Sequence, residues 1–162
     1  SNRLLSLNTN PAHPNCIQAG KRPRITLTPT LVVKDDKPVI AISVAGADMQ
    51  DQVTLGLLLN AIEFNMRPEA AVTTPRFVST HHQNSFDPNP NRQLTIKTMG
   101  HLNINKDLKV SVLKELENRG HKLNLTETAI AAPVMLLIDQ KTGVFYAAGD
   151  PKANRHAAGL HK

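Results

Sequence analysis

An apolar stretch of strand character, residues 38–44, passes through one glycine, Gly46, and runs directly into an apolar stretch of helical character, residues 53–64. Strands repeat every two residues and helices every 3.6. The backbone must therefore turn sharply within Ala45-Gly46-Ala47-Asp48-Met49-Gln50-Asp51-Gln52. A turn that opens a helix leaves the first helical N–H groups without intrahelical acceptors. Such groups can hold an anion or an oxyanion. The same residues also read as a plain connection in which Asp48 caps the helix, with Asp51 three positions on in the manner of a capping box.

The remaining segments place this turn in an α+β chain. Residues 1–23 carry Pro11, Pro14 and Pro23 with Asn8, Asn10 and Asn15 between, the composition of an extended lead-in without its own core. Residues 26–34 and 39–44 form a hairpin around Asp35-Asp36-Lys37, and their continuous apolar character predicts strands buried on both faces. In the helix that follows, Gln52, Gly56, Asn60 and Glu63 share one face. Leu55, Leu58, Leu59 and Ile62 cover the rest, which predicts burial over most of the surface. A second helix starts at residues 67–71 with Pro68 in its first turn, and residues 76–78 follow as a short strand. Residues 81–91 read as a polar loop and 94–97 as a strand. Residues 106–119 read as an amphipathic helix carrying Leu108, Val112, Leu113 and Leu116 on one face, with Gly120 at its C-cap. Residues 121–125, 133–139 and 144–148 are strands, the last two joined by a turn at Lys141-Thr142-Gly143, and residues 150–162 form a polar tail. This alternation predicts helices covering a mostly antiparallel sheet.

Composition excludes several classes of function. A length of 162 residues suits one domain. No apolar run reaches the ~18 residues of a membrane span. The net charge of +6 raises nucleic acid as a partner, but Lys and Arg are scattered, aromatic content is 3% and Trp is absent, so none is expected. Cys16 is the only cysteine, which excludes an internal disulfide framework and a cysteine metal cluster. Of the seven histidines, His81 and His82 are adjacent and His156 and His161 lie five apart, so no facing metal pair is formed and no metal is expected. No Gly-x-Ser-x-Gly elbow occurs. Asn124-Leu125-Thr126 fits a glycosylation acceptor, a triplet common by chance. Asp35, Asp36, Asp139 and Asp150 occupy turn-like positions.

An ordered set of short motifs adds a resemblance. Gly20-Lys21-Arg22-Pro23, Thr26-Leu27-Thr28-Pro29-Thr30 and the Ala45–Gln52 turn are followed by Asn60-Ala61-Ile62-Glu63-Phe64-Asn65-Met66 and Ala71-Val72-Thr73-Thr74-Pro75-Arg76-Phe77. Leu116-Glu117-Asn118-Arg119-Gly120-His121 and Ala147-Ala148-Gly149-Asp150-Pro151-Lys152 complete the series. In this order the chain resembles the C-terminal part of the γ-glutamyltransferase family, the γ-glutamyltranspeptidases or glutathione hydrolases. The resemblance implies an N-terminal-nucleophile hydrolase fold, a four-layer αββα sandwich of which residues 1–162 form a C-terminal portion. It implies a proenzyme that cleaves itself into two subunits, and a nucleophilic Thr whose own α-amino group is the base. No cofactor is implied. The implied partners are the large subunit, the start of the small subunit and a small γ-glutamyl donor. An uncovered sheet face would also allow a homodimer of the fragment.

By the same resemblance, Gly46 and Ala47 stand where the family has two glycines that supply an oxyanion hole through backbone N–H groups. Thr26 and Ile25 stand where a hydroxyl pair binds the donor α-carboxylate, and Asp48 has the structural role of helix cap. The chain departs from the family in several places. Ile25 cannot hydrogen-bond, Leu4-Leu5-Ser6 replaces an Asp-bearing segment, and Met49 replaces an Arg. The Thr-Thr-His-like start of the small subunit is absent, so the nucleophile is expected outside this chain and the chain alone is expected to be inactive. Three readings remain open: part of a γ-glutamyl-transferring amidohydrolase, an acylase for another donor, or a non-catalytic module that retains the fold.

Overall fold

A computed structural model of the protein describes residues 6–95 and 99–159. In chain order its elements are β1 (Thr30–Lys34), β2 (Lys37–Ala45), a 3₁₀ turn (Ala47–Met49), α1 (Gln50–Ile62), α2 (Pro68–Thr73), β3 (Phe77–Ser79) and β4 (His101–Asn105). Then come α3 (Val110–Asn118), β5 (Lys122–Thr126), β6 (Ala132–Ile138) and β7 (Phe145–Gly149). The α+β class is as the sequence indicates.

The first hairpin is built by its turn. Lys34 faces Lys37, leaving Asp35 and Asp36 as a two-residue loop with φ of 50° and 58°. Two left-handed residues define the turn type whose twist matches flanking strands, and Asp tolerates that conformation. β1 begins at Thr30 rather than at residue 26, and Pro29 just before it has no N–H to give a ladder.

β2 pairs with β6 and β6 with β7, all antiparallel, giving the strand order β1-β2-β6-β7. The alternation of side chains sorts this sheet into two faces. One face carries Ile40, Ile42, Val44 and Met135, which pack with Val53, Leu57 and Ala61 of α1 and Ala71 and Val72 of α2. The opposite face carries a row in register across all four strands, Leu31, Ala41, Leu136 and Ala147. There Leu31 and Val33 are 62% and 54% exposed. The expectation of strands buried on both faces is therefore corrected, because among the described residues helices cover one face only.

The same holds for α1. It buries Gln50, Val53, Thr54, Leu57 and Ala61, whereas Leu55, Leu59 and Ile62 stay exposed, the first two lining a groove shared with Phe64 and Phe77. Its apolar residues run round the helix, but only one side meets the sheet. Polar residues tie α1 to its neighbours. Gln52 Nε2 donates to the Ser79 carbonyl at 3.1 Å and its Oε1 accepts from the Ser79 N–H at 2.8 Å, while Asn60 Nδ2 donates to the Ala71 carbonyl at 3.3 Å.

A second sheet, β3-β4-β5, pairs β3 with β4 antiparallel and β4 with β5 parallel. A parallel pair needs a crossover, and α3 provides it. α3 begins at Val110 rather than at residue 106 and fully buries none of its residues. It ends as the sequence predicts: Gly120, φ 89°, donates to the Glu117 carbonyl at 2.9 Å, and the His121 N–H reaches the Leu116 carbonyl at 3.1 Å. The strand expected at 94–97 is not found at its start, since Arg92–Leu94 is a 3₁₀ turn. Residues 96 and 97 lie outside the described residues.

The tail expected from residue 150 is anchored at its root. Asp150 is 1% exposed, and a Cβ on Gly149 would lie 2.7 Å from the Arg155 backbone carbon, so only glycine fits. The lead-in is ordered by its asparagines: Asn8 Oδ1 accepts from the Asn10 N–H at 2.8 Å and Asn10 Oδ1 from the Ala12 N–H at 3.0 Å. Within it Cys16 is buried.

Candidate functional site

The turn at Gly46 is fixed from three sides. Upstream, Ala45 pairs with Ala132 at the end of the β2–β6 ladder. Downstream, the Gly46 carbonyl accepts the Met49 N–H at 3.0 Å, and the Ala47 carbonyl accepts the Gln50 N–H. From the side, Ala131 approaches so closely that a Cβ on Gly46 would lie 2.5 Å from its Cβ. The N–H groups of Gly46 and Ala47 donate to no acceptor among the described residues. Ala47 has φ 50° and Ala131 φ 60°. Each alanine forced into the left-handed region costs roughly 1–2 kcal/mol. Strain of this kind persists where the surroundings over-determine it, commonly at functional sites.

Asp48 does not act as the expected helix cap, since neither the 3₁₀ turn nor α1 has a side-chain cap hydrogen bond. Its carboxylate points to other partners. Oδ2 accepts from the Ser85 N–H at 2.9 Å, and Oδ1 accepts from the Ser85 hydroxyl and from Arg24 Nη2. Burial alone would raise the Asp48 carboxyl, but the hydrogen bonds from Ser85 and the charge of Arg24 hold it below the usual value. Arg24 Nη2 also donates to Ser85 Oγ, and its guanidinium carbon lies 4.3 Å from the centre of the Phe86 ring. A polar turn residue thus becomes the meeting point of the lead-in and the 81–91 loop.

The segment holding Ile25 and Thr26 is tied to the turn at both ends: Arg24 reaches Asp48, and Thr28 Oγ1 donates to Gln50 Oε1 at 3.4 Å. Thr26 is buried and Ile25 is exposed. All five residues singled out from the sequence, Ile25, Thr26, Gly46, Ala47 and Asp48, therefore lie in one neighbourhood. Sequence reasoning missed Arg24, Ser85, Phe86 and Ala131, which hold that neighbourhood together.

It also missed a buried ion pair behind the site. Arg76 Nη2 donates to Asp150 Oδ2 and to the Val72 carbonyl at 2.7 Å, and Asp150 Oδ1 accepts the Lys152 N–H at 2.9 Å. Arg76 is held by its backbone as well, through Asn105 Oδ1 at 3.0 Å, and Asn105 Nδ2 donates to the Thr128 carbonyl at 3.1 Å. Burial pulls the Arg76 guanidinium below its ordinary value, and Asp150 opposes that pull. The turn chemistry expected of Asp150 is present, with a second role as the counter-ion that joins α2 to the root of the tail.

Elsewhere two of the histidines have side-chain partners, while the Nδ1 atoms of His101 and His121 are buried without one among the described residues. His81 Nδ1 lies 2.6 Å from Ser79 Oγ, and His13 Nε2 lies 3.2 Å from Asp87. Asn124 donates to Asn103 across the parallel pair at 2.9 Å. Among the described residues no three His, Cys, Asp or Glu side chains converge as metal ligands.

The comparisons with known proteins agree with this architecture. The family model for gamma-glutamyltranspeptidase matches residues 2–160. The glutathione hydrolase proenzyme of Bacillus subtilis (strain 168) is 29% identical over 161 residues, covering 99% of this chain and 24% of its own length. The chain thus spans about a quarter of that relative. A cephalosporin acylase from Bacillus halodurans superposes with a TM-score of 0.73 at 25% identity, over 97% of this chain and 27% of that one. A gamma-glutamyltranspeptidase from Pseudomonas nitroreducens complexed with L-DON superposes with a TM-score of 0.70 at 19% identity, over 91% of this chain and 68% of that one. The fold is accordingly a part of the N-terminal-nucleophile hydrolase sandwich. With its strand–turn–helix corner, its two sheets and its match over almost every residue, the chain belongs to the gamma-glutamyltranspeptidase family.

Proposed function

We propose that this chain is the C-terminal portion of a self-processing amidohydrolase that transfers γ-glutamyl groups to water or to an acceptor amine. In this reading the nucleophilic Thr belongs to a preceding segment of the same protein. As its α-amino group takes the hydroxyl proton, its hydroxyl oxygen bonds to the donor carbonyl carbon, and the carbonyl electron pair moves onto oxygen. The N–H groups of Gly46 and Ala47 receive that charge. Collapse then breaks the C–N bond as the amine takes the proton held by the α-amino group. Water or an acceptor amine, deprotonated by the same α-amino group, next attacks the acyl-Thr ester and frees the Thr hydroxyl. Thr26 contacts the donor at its carboxylate end. The bare face carrying Leu31, Ala41, Leu136 and Ala147 is where the remainder of the proenzyme packs.

The observation that carries the reading is the pair of N–H groups, unpartnered among the described residues, on a strand-to-helix turn held in place by Ala131 and Asp48. Preorganised donors of this kind are worth ~10²–10³ in rate each. The test is turnover of γ-glutamyl-p-nitroanilide by the full-length protein. Release of p-nitroaniline is expected, with none from the 162-residue chain alone. A full-length protein that forms no acyl-enzyme would refute the reading and favour a non-catalytic module.

One observation favours a different donor. Ile25 places an exposed apolar side chain where the family places a hydroxyl, a surface suited to an acyl group without an α-carboxylate. Faster turnover of a plain aliphatic amide than of the γ-glutamyl anilide would establish that second reading.

A further inference from the structure

We infer that Arg24 and Ser85 are positioning residues for the oxyanion turn, acting through Asp48. The inference rests on the reading of Gly46 and Ala47 given above. Asp48 directly follows Ala47, whose φ of 50° is one that an alanine does not hold without outside support. The Gly46 carbonyl and the Ala45 ladder fix one end of the turn. The carboxylate of Asp48 fixes the other, with both oxygens engaged by groups from two distant segments. Ser85 supplies its N–H and its hydroxyl, so the 81–91 loop is seated on the turn by two bonds. Arg24 supplies Nη2, and the Phe86 ring beside its guanidinium sets the plane of the fork.

The cost of this arrangement argues for a geometric purpose. The Arg24 side chain is 15% exposed, and its Nε and Nη1 atoms are buried without acceptors among the described residues. Burying a cation with N–H groups unsatisfied is unfavourable, and well-packed apolar side chains of similar volume commonly match or exceed such a pair in stability. The Arg24–Asp48 pair as a whole therefore adds little to folding over an apolar pair of similar volume. Arg24 contributes a fixed direction for the Asp48 carboxylate, and through it a fixed direction for the adjoining peptide N–H groups. A misplacement of ~1 Å at such a site can cost ~10² in rate.

The test compares Asp48→Asn, Arg24→Met, Arg24→Lys and Ser85→Ala in the full-length protein, with Arg119→Met, from an exposed helical pair, as the control. The kcat per active site is measured with γ-glutamyl-p-nitroanilide, sites being counted from the p-nitroaniline burst, and thermal midpoints are recorded in parallel. For Asp48→Asn and Arg24→Met we expect kcat to fall ~10–100-fold with KM moving less than ~3-fold, the pattern of an interaction made only in the transition state. Ser85→Ala falls less, because the Ser85 N–H remains, and Arg24→Lys recovers part of the loss. The Arg24→Met midpoint falls, because Asp48 loses its counter-ion while keeping its Ser85 bonds. Variant kcat values within ~2-fold of wild type, or losses that appear only in the number of sites or in the midpoint, overturn the inference while leaving the oxyanion reading intact. A wild-type protein with neither burst nor turnover removes that reading, and this inference with it.

Discussion

Gly46→Ala, alone and with Ala131→Gly, probes the corner most directly. The added Cβ would sit 2.5 Å from the Ala131 Cβ and 3.3 Å from its Cα. Carbon pairs rest at about 3.5–4.0 Å, so the first contact is short by more than ~1 Å. Overpacking of this kind costs ~1–3 kcal/mol. The neighbour cannot rotate away, because a Cβ follows the backbone, so the upper part of that range, ~2–3 kcal/mol, is expected. For a domain of this size that is roughly 4–12 °C in thermal midpoint. Ala131→Gly by itself relieves a left-handed alanine and adds unfolded-chain entropy, two terms of ~1 kcal/mol that nearly cancel. In the double variant the 2.5 Å contact is gone and only the 3.3 Å one remains. Its stability should return to within ~1 kcal/mol of wild type, a coupling energy of ~1–3 kcal/mol. Urea unfolding of the four proteins gives this cycle. Additive losses would refute the argument that Ala131 is what makes position 46 a glycine.

Ala47→Gly should leave stability within ~1 kcal/mol of wild type, since relief at φ 50° and the added chain entropy nearly cancel, as at Ala131; a loss of more than ~2 kcal/mol in urea unfolding would contradict this. Asp150→Asn removes the counter-ion of a guanidinium that is 14% exposed and should cost ~3–5 kcal/mol by urea denaturation. The Asp48 carboxyl lies below its ordinary value of 3.8 in the folded protein, so its contribution to stability is complete above that pH and is lost as pH falls through the folded value. The stability gap between wild type and Asp48→Asn should therefore be wide at pH 6 and narrow steadily below about pH 3.8; a gap independent of pH would show that the charge plays no part. Gly149→Ala should lower the thermal midpoint more than Gly56→Ala, because an added Cβ meets the Arg155 backbone at 2.7 Å in the first case and nothing within 4 Å in the second.

Features fixed by neighbouring residues were legible in the sequence. Asp35-Asp36 between two apolar runs specifies a hairpin, Pro68 a helix start and Gly120 a helix end, and the structure has all three. Burial was misread where it depends on what packs opposite. Leu31, Leu55 and Leu59 are as apolar as the core leucines, yet no described element covers them. Contacts between distant segments left no trace: Asp48 meets Arg24 across 24 positions and Ser85 across 37, and Arg76 meets Asp150 across 74. In one sequence Asp48 before a helix is indistinguishable from a cap. Only the folded chain shows its carboxylate turned to other donors.

The amide of Gln52 has a consequence for how the smaller sheet can grow. β3 is an outer strand of that sheet, and an outer strand offers its N–H and C=O groups to any extended segment that drifts past. Gln52 already occupies both groups of Ser79, donating and accepting as a neighbouring strand would. A helix side chain thereby plugs the terminus of β3, and an intruding segment must break two hydrogen bonds before it makes one. Recruitment of extra strands is thus directed away from β3 and toward the β5 side, where no such plug stands among the described residues.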